Sequence, residues 1–335
     1  MDYLGNKTYR EDMEAIMAHT PGFARLRGKK ILVLGATGLI GAVLTDCLLY
    51  ANAAHAMGIR VYAASRHKEQ LERRFGEADG KSLHFMETDV TGLKSPGAFD
   101  YIIHGAGYGH PGAFMEQPAE VLLSNVVGVW KVLKAAGESG RCRVLYLSSG
   151  EAGQEVDHLQ TRACYPMGKK TAETLCLCHH KEYGTDVVIA RPCHTFGPWV
   201  RREDNRATAQ FLAAAAAGRD IEMYSAGSQV RSFSYVADCV SGLLSVLVLG
   251  ESAKVYGIAC GEACSVREFA GYCAAAGGCR VTTHLPDAGE RAQISPIKDQ
   301  IMENGALKGL GWSPCYTIEG GIVRTVRMMR EENGG

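Results

Sequence analysis

Residues 31–41 read Ile31-Leu32-Val33-Leu34-Gly35-Ala36-Thr37-Gly38-Leu39-Ile40-Gly41. The first four form a continuous apolar run, as a strand buried on both faces of a parallel sheet requires. Three glycines follow at Gly-x-x-Gly-x-x-Gly spacing, and the chain then continues into a predicted helix over 39–50. A glycine turn in that position lets the backbone amides of Gly35, Thr37, Gly38, Leu39, Ile40 and Gly41 approach a dinucleotide pyrophosphate at the helix N-terminus. The strand before it and the helix after it distinguish this turn from a merely tight connection.

The same alternation continues outward. Strands are predicted at 59–64, 83–86, 101–104, 144–147 and 187–190, and helices at 68–75, 119–136 and 169–183. Such a chain builds an α/β fold with a doubly wound parallel sheet. Residues 1–29 read as an N-terminal helical extension. Beyond Pro192 the pattern loosens into helices at 208–217, 236–249 and 265–276, with a short strand near 222–224. The predicted organisation is therefore an extension (1–29), a cofactor-binding domain (30–191) and a region that is mainly a substrate-binding lobe (192–335).

At the end of the second strand the chain reads Ala64-Ser65-Arg66-His67, with no carboxylate to hold an adenosine ribose. Ser65 and Arg66 suit a ribose 2′-phosphate, which favours NADP over NAD. An exposed helix-start arginine would read the same way. Asp89 and Val90 follow the third strand, where they are placed to cap an adenine. Gly105, Ala106 and Gly107 follow the fourth and keep side chains clear of the cofactor. Ser148-Ser149 ends the fifth strand, and Tyr165-Pro166-Met167-Gly168-Lys169 opens the next helix. Tyr165 and Lys169 share a helical face, where a lysine is expected to lower the phenol pKa and ready it as a general base.

With these motifs in order, the sequence resembles the extended short-chain dehydrogenase/reductase family of nucleotide-sugar epimerases, dehydratases and decarboxylases. The resemblance runs from Lys30 to about Arg327. It rests on Gly35, Gly38 and Gly41, on Ser149, Tyr165 and Lys169, and on Arg191-Pro192 with Thr195-Phe196-Gly197-Pro198. Residues 227–238 and Leu307-Lys308-Gly309-Leu310-Gly311-Trp312 extend it into the second lobe. Within the family, Cys164-Tyr165, residues 168–174 and Ser149-Gly150-Glu151 look most like the UDP-glucuronate decarboxylases.

The resemblance implies a Rossmann-type sheet, tightly held NAD or NADP, and oxidation of a nucleotide sugar at C4 to a 4-keto intermediate. Ser149, Tyr165, Lys169 and Glu151 would be the catalytic set. Decarboxylation leads, and 4-epimerisation, 4,6-dehydration and NADPH-dependent reduction of a 4-keto sugar stand as alternatives. A cofactor-sensing scaffold is the non-enzymatic one. Arg231 matches a family arginine that reaches the diphosphate or sugar, and guanidinium suits either anion. Arg201 and Arg202 are further anion-binding candidates or solvent-facing charges, and His194 joins the substrate-binding set. Three departures bear on the substrate: His194 replaces a common Asn, Gly150 a small polar or acidic residue, and Gly153 a Tyr. Family members pair through the helix holding Trp130 and the helix following Tyr165, which implies a homodimer.

Composition excludes other classes. Thirty-six basic residues balance 36 acidic ones among 335, so no global field recruits nucleic acid or an anionic membrane. No apolar stretch reaches membrane-spanning length. Twelve cysteines in apolar surroundings read as reduced thiols, and with no signal peptide visible the expected location is cytoplasmic. Cys176, Cys178, His179 and His180 crowd one helix but lack a second pair at ligand spacing, so no metal is expected.

Overall fold

A computed structural model describes residues 3–94, 97–109, 111–199, 204–284 and 299–333. The chain enters through α1 (Lys7–Ala18) and reaches β1 (Lys30–Leu34), α2 (Leu39–His55), β2 (Arg60–Ser65), α3 (Lys68–Phe75) and β3 (Leu83–Glu87). It continues through β4 (Tyr101–His104), α4 (Pro111–Glu116), α5 (Pro118–Ser139), β5 (Arg143–Leu147), α6 (Cys164–Tyr183) and β6 (Val187–Pro192). Then come β7 (His194–Phe196), α7 (Ala207–Ala216), β8 (Ile221–Met223), β9 (Val230–Tyr235), α8 (Val236–Leu249) and β10 (Val255–Ile258). The chain ends with β11 (Ala263–Ser265), α9 (Val266–Gly277), β12 (Val281–Thr283), α10 (Gly305–Lys308) and α11 (Ile318–Asn333).

Seven strands form one parallel sheet in the order β3-β2-β1-β4-β5-β6-β10. This is the doubly wound arrangement the alternation predicts. The order reverses between β1 and β4, so the C-terminal ends of these strands open the crevice where such sheets bind ligands. The apolar runs fill both layers: Ile31 and Val33 pack in the core with α2 and α8, while Leu32 and Leu34 pack in the core with α5 and α6.

Beyond Pro192 the sequence reading misses several short strands. β7, β9 and β11 form a second, three-stranded sheet, and β8 pairs with β12. β10 returns to the main sheet beside β6, and α8 packs against that sheet from the same side as α2. Residues 236–258 thus belong to the main sheet and the helices on its face, although they follow the first strands of the smaller lobe.

Helix α1 ties both parts together. Its buried Asp12, 1% exposed, accepts from Tyr235 of β9, from the Tyr316 hydroxyl at 2.9 Å and from Arg324 Nε of α11 at 2.7 Å. Tyr9, one turn earlier, donates to Asp46 of α2, which also pairs with Arg74 of α3. Asp12→Ala would leave Arg324 and two tyrosine hydroxyls without their shared acceptor. Loss of one partner of a buried pair costs about 3 kcal/mol or more, so chemical denaturation should show a destabilisation of about that size.

Candidate active site

The turn after β1 is built by close backbone approach. Gly35 holds φ +85°, and a Cβ there would lie 2.8 Å from the Ala106 nitrogen and the Gly105 carbonyl. A Cβ on Gly41 would lie 2.2 Å from the Gly35 carbonyl oxygen, so neither position accepts a side chain. Gly38 is the N-cap of the 17-residue α2 and offers no side-chain cap. The first-turn N–H groups, which a helix cannot satisfy internally, remain for an anion. A pyrophosphate fits this cradle.

Around it, Ser65 ends β2 and accepts weakly from the His67 nitrogen at 3.4 Å. Arg66 donates to the Tyr108 hydroxyl at 2.8 Å, and its charge helps hold the Asp89 carboxyl below its ordinary pKa, behind the larger effect of Thr91. Asp89 accepts from the Thr91 nitrogen at 2.8 Å and hydroxyl at 2.6 Å. Val90 packs where a side chain on Gly128 of α5 would stand. Gly107 lies close to Asn125 of α5.

The Ser149, Tyr165 and Lys169 side chains meet at the C-terminal end of β5. The Ser149 hydroxyl accepts from the Glu151 nitrogen at 3.1 Å and lies near enough to Tyr165 to pull its pKa down. Lys169 is buried, donates to the Leu147 carbonyl at 2.8 Å, and lies 5.0 Å from the Tyr146 ring centre and 5.9 Å from that of Tyr165. Burial pushes its ammonium down to about 8, against an upward pull from Glu173. Glu173, one turn further along α6, accepts from Ser148 and from Arg191 Nε at 2.8 Å and Nη2 at 2.6 Å.

The expected lowering of the Tyr165 phenol is not what the protein alone produces. Burial first, then the Glu151 charge, push it up to about 12, with Ser149, Arg206 and Arg162 pulling it down. The Lys169 amino group is turned to Leu147 and is not the dominant influence.

Glu151 forms an ion pair with Arg162 at 2.9 Å, and that guanidinium lies 4.8 Å from the Phe114 ring centre. Phe114 in turn stacks on Tyr165 at 4.5 Å. His194, on β7, is driven down to about 3, chiefly by burial and then by the Arg231 charge, so its imidazole is neutral at ordinary pH. Arg231, on β9, is pulled below its ordinary pKa by burial and supported by Glu151. His194, Arg231 and Glu151 thus share one electrostatic environment, into which Arg206 also projects its charge. Arg201 and Arg202 lie outside the described residues. Sequence reasoning missed Arg162, Phe114, Glu173 and Arg206. Only Glu173, four residues after Lys169 on the same helical face, carried a local signal.

Among the described residues no group of three or more His, Cys, Asp or Glu side chains is placed to hold a metal, and no helix is long and apolar enough to cross a membrane. The described thiols are unpaired.

Residues 31–259 match the model of the NAD dependent epimerase/dehydratase family. The chain belongs to that family. Two curated relatives are the UDP-glucuronic acid decarboxylase 1 of Xenopus tropicalis, 28% identical over 323 residues, and that of Danio rerio, 29% identical over 317. Each alignment covers 91% of this chain and 73% of the relative. Two similar solved structures are the epimerase Mth375 of Methanothermobacter thermautotrophicus, with TM-score 0.78 and 22% identity, and the Bordetella bronchiseptica enzyme WbmF in complex with NAD+ and UDP, with TM-score 0.74 and 21% identity. They cover 95% and 93% of this chain, and 96% and 95% of their own. At these identities they show the shared fold.

In this family member the buried Lys169 costs stability. Its folded value of about 8 lies below the ordinary 10.5, so below pH 8 the penalty is fully present. Stability is regained as pH rises from about 8 to 10.5, where only the folded lysine has lost its proton. Lys169→Met should therefore unfold at higher denaturant than wild type at pH 7, with an advantage that shrinks across that window. Paired denaturation curves at pH 7 and 10 check the sign.

Proposed function

We propose that this family member is a nucleotide-sugar-modifying enzyme that decarboxylates UDP-glucuronate through transient oxidation at sugar C4. What carries the reading is Glu151, flanked by Gly150, beside the Ser149–Tyr165–Lys169 cluster at the mouth of the sheet crevice. The two decarboxylase relatives support it. The smaller lobe, with His194 and Arg231 and with Arg201 as a further candidate, is taken to grip the nucleotide sugar.

NAD is the cofactor of the family. Arg66, which suits a ribose 2′-phosphate, is here drawn to the Tyr108 hydroxyl and the Asp89 charge. The cofactor would lie along the 35–41 turn, Ser65, Asp89 and residues 105–107, and when bound it supplies a hydride acceptor. Tyr165 takes the proton of the sugar 4-hydroxyl, and Ser149 holds the same oxygen. The Lys169 charge stabilises the Tyr165 phenolate that accepts this proton and thereby becomes the neutral phenol. Oxidation at C4 makes a C6 carboxylate a β-keto acid, so carbon dioxide can leave without an acid at position 150. A 4,6-dehydratase must protonate a departing C6 hydroxyl, and Gly150 has no group to do so. Glu151 would handle the proton at C5, and its ion pair with Arg162 supports that role by fixing the carboxylate.

A homodimer in the cytoplasm belongs to the same reading. Leu122, Leu123 and Trp130 on α5 and Leu177 on α6 are exposed apolar side chains on the two helices that would pair.

Incubation with UDP-glucuronate and NAD, followed by mass spectrometry, should show loss of carbon dioxide and formation of a UDP-pentose. Tyr165→Phe should lower turnover by roughly 10²- to 10⁴-fold. Unchanged mass with altered stereochemistry would instead make the enzyme a 4-epimerase, and stoichiometric consumption of NADPH with a keto-sugar would make it a reductase.

A further inference from the structure

Residues 299–302 form a short extended segment clamped along β9. The Gln300 nitrogen donates to the Val230 carbonyl, the Ser232 nitrogen to the Gln300 carbonyl, both at 2.9 Å, and the Met302 nitrogen to the Ser232 hydroxyl at 3.0 Å. Side chains alternate along an extended chain. Ile301 accordingly faces solvent, while Gln300 and Met302 both turn inward to Gly150. A Cβ on Gly150 would stand 2.6 Å from Met302 Sδ and 2.9 Å from Gln300 Nε2. The space a side chain at 150 would take is already filled by these two residues, between Ser149 and Glu151.

Gln300 is 4% exposed, yet its Nε2 is buried without a hydrogen-bond partner among the described residues, and so is His194 Nε2. Buried donors are rarely left unmet in a folded protein. The Gln300 side chain lies near enough to His194 to raise its pKa, against the larger downward effect of burial, and its amide nitrogen is left for another acceptor. Arg231, paired through its backbone with Gln300, brings a positive charge that reaches Glu151 and His194. Glu151 is already engaged by Arg162. An unmet amide donor beside that charge suits a group that only accepts.

We propose that Gln300 determines substrate specificity: packed into the space that a side chain at position 150 would otherwise occupy, its side-chain amide donates to the carboxylate of a nucleotide-linked hexuronate. The inference rests on the hexuronate reading above and names the residue that recognises the acid. Met302 fills the rest of that space, and glycine at 150 leaves room for the amide.

The test is calorimetric titration of the NAD-loaded full chain with UDP-glucuronate, UDP-glucose and UDP. Wild type should prefer UDP-glucuronate to UDP-glucose. Gln300→Met keeps the length of the side chain without its donor and should weaken UDP-glucuronate binding roughly tenfold or more, with UDP binding unchanged. Gln300→Glu should weaken it further by repelling the carboxylate. Should Gln300→Met lose UDP binding as well, Gly150→Ser carries the test, because its side chain displaces the amide and should erase the same preference. Variants that bind UDP and keep the wild-type preference overturn the role of Gln300 alone. A wild type that binds UDP but does not distinguish the two sugars overturns the hexuronate reading, and the Gln300 role with it.

Discussion

Burying the Lys169 ammonium beside the sheet costs several kcal/mol before anything offsets it, and the surrounding chain is arranged around that cost. The Leu147 carbonyl accepts a hydrogen bond from it, the Tyr146 ring lies under it, and the Glu173 carboxylate supports its charge from one turn along α6. Glu173 is in turn fixed by Ser148 at the end of β5 and by Arg191 near the end of β6. Two neighbouring strands and one helix are thereby locked at the edge where Tyr165 and Ser149 stand. Their relative placement follows from satisfying one buried charge.

The crevice also depends on how the smaller lobe is held. β7 and β9 bring His194 and Arg231 toward Glu151, and β9 leads directly into α8, which packs on the main sheet. Helix α1 adds a second tie, since Tyr9 reaches Asp46 of α2 while Asp12 gathers β9 and α11. The segment bearing Gln300 and Met302 is fixed on β9 by backbone bonds. This end of the crevice is thus assembled from parts far apart in sequence, each anchored to something rigid.

That distance explains what could be read beforehand. The strand 101–104 and the helices 68–75 and 236–249 coincide with β4, α3 and α8, because apolar runs and helical periodicity are local signals. The Gly35–Gly41 turn and the Tyr165–Lys169 spacing are legible for the same reason. β10 is only four residues long, and β9 is visible as a motif rather than as a strand, because their neighbours come from distant segments. Gly150 stands out in the sequence as a departure, but its cause lies in Met302 and Gln300. The Arg162–Glu151 pair and the upward shift of Tyr165 depend on burial and on charges that no local pattern encodes.

In the proposed reaction oxidation at C4 comes first, and the hydride returns to the same carbon. Turnover of UDP-glucuronate carrying deuterium at C4 follows that hydride, with the product read by mass spectrometry and NMR. The expected product is a UDP-pentose that retains the deuterium at C4 while NAD is not consumed. A decarboxylated product without deuterium at C4, or one formed with net loss of NAD, would contradict it.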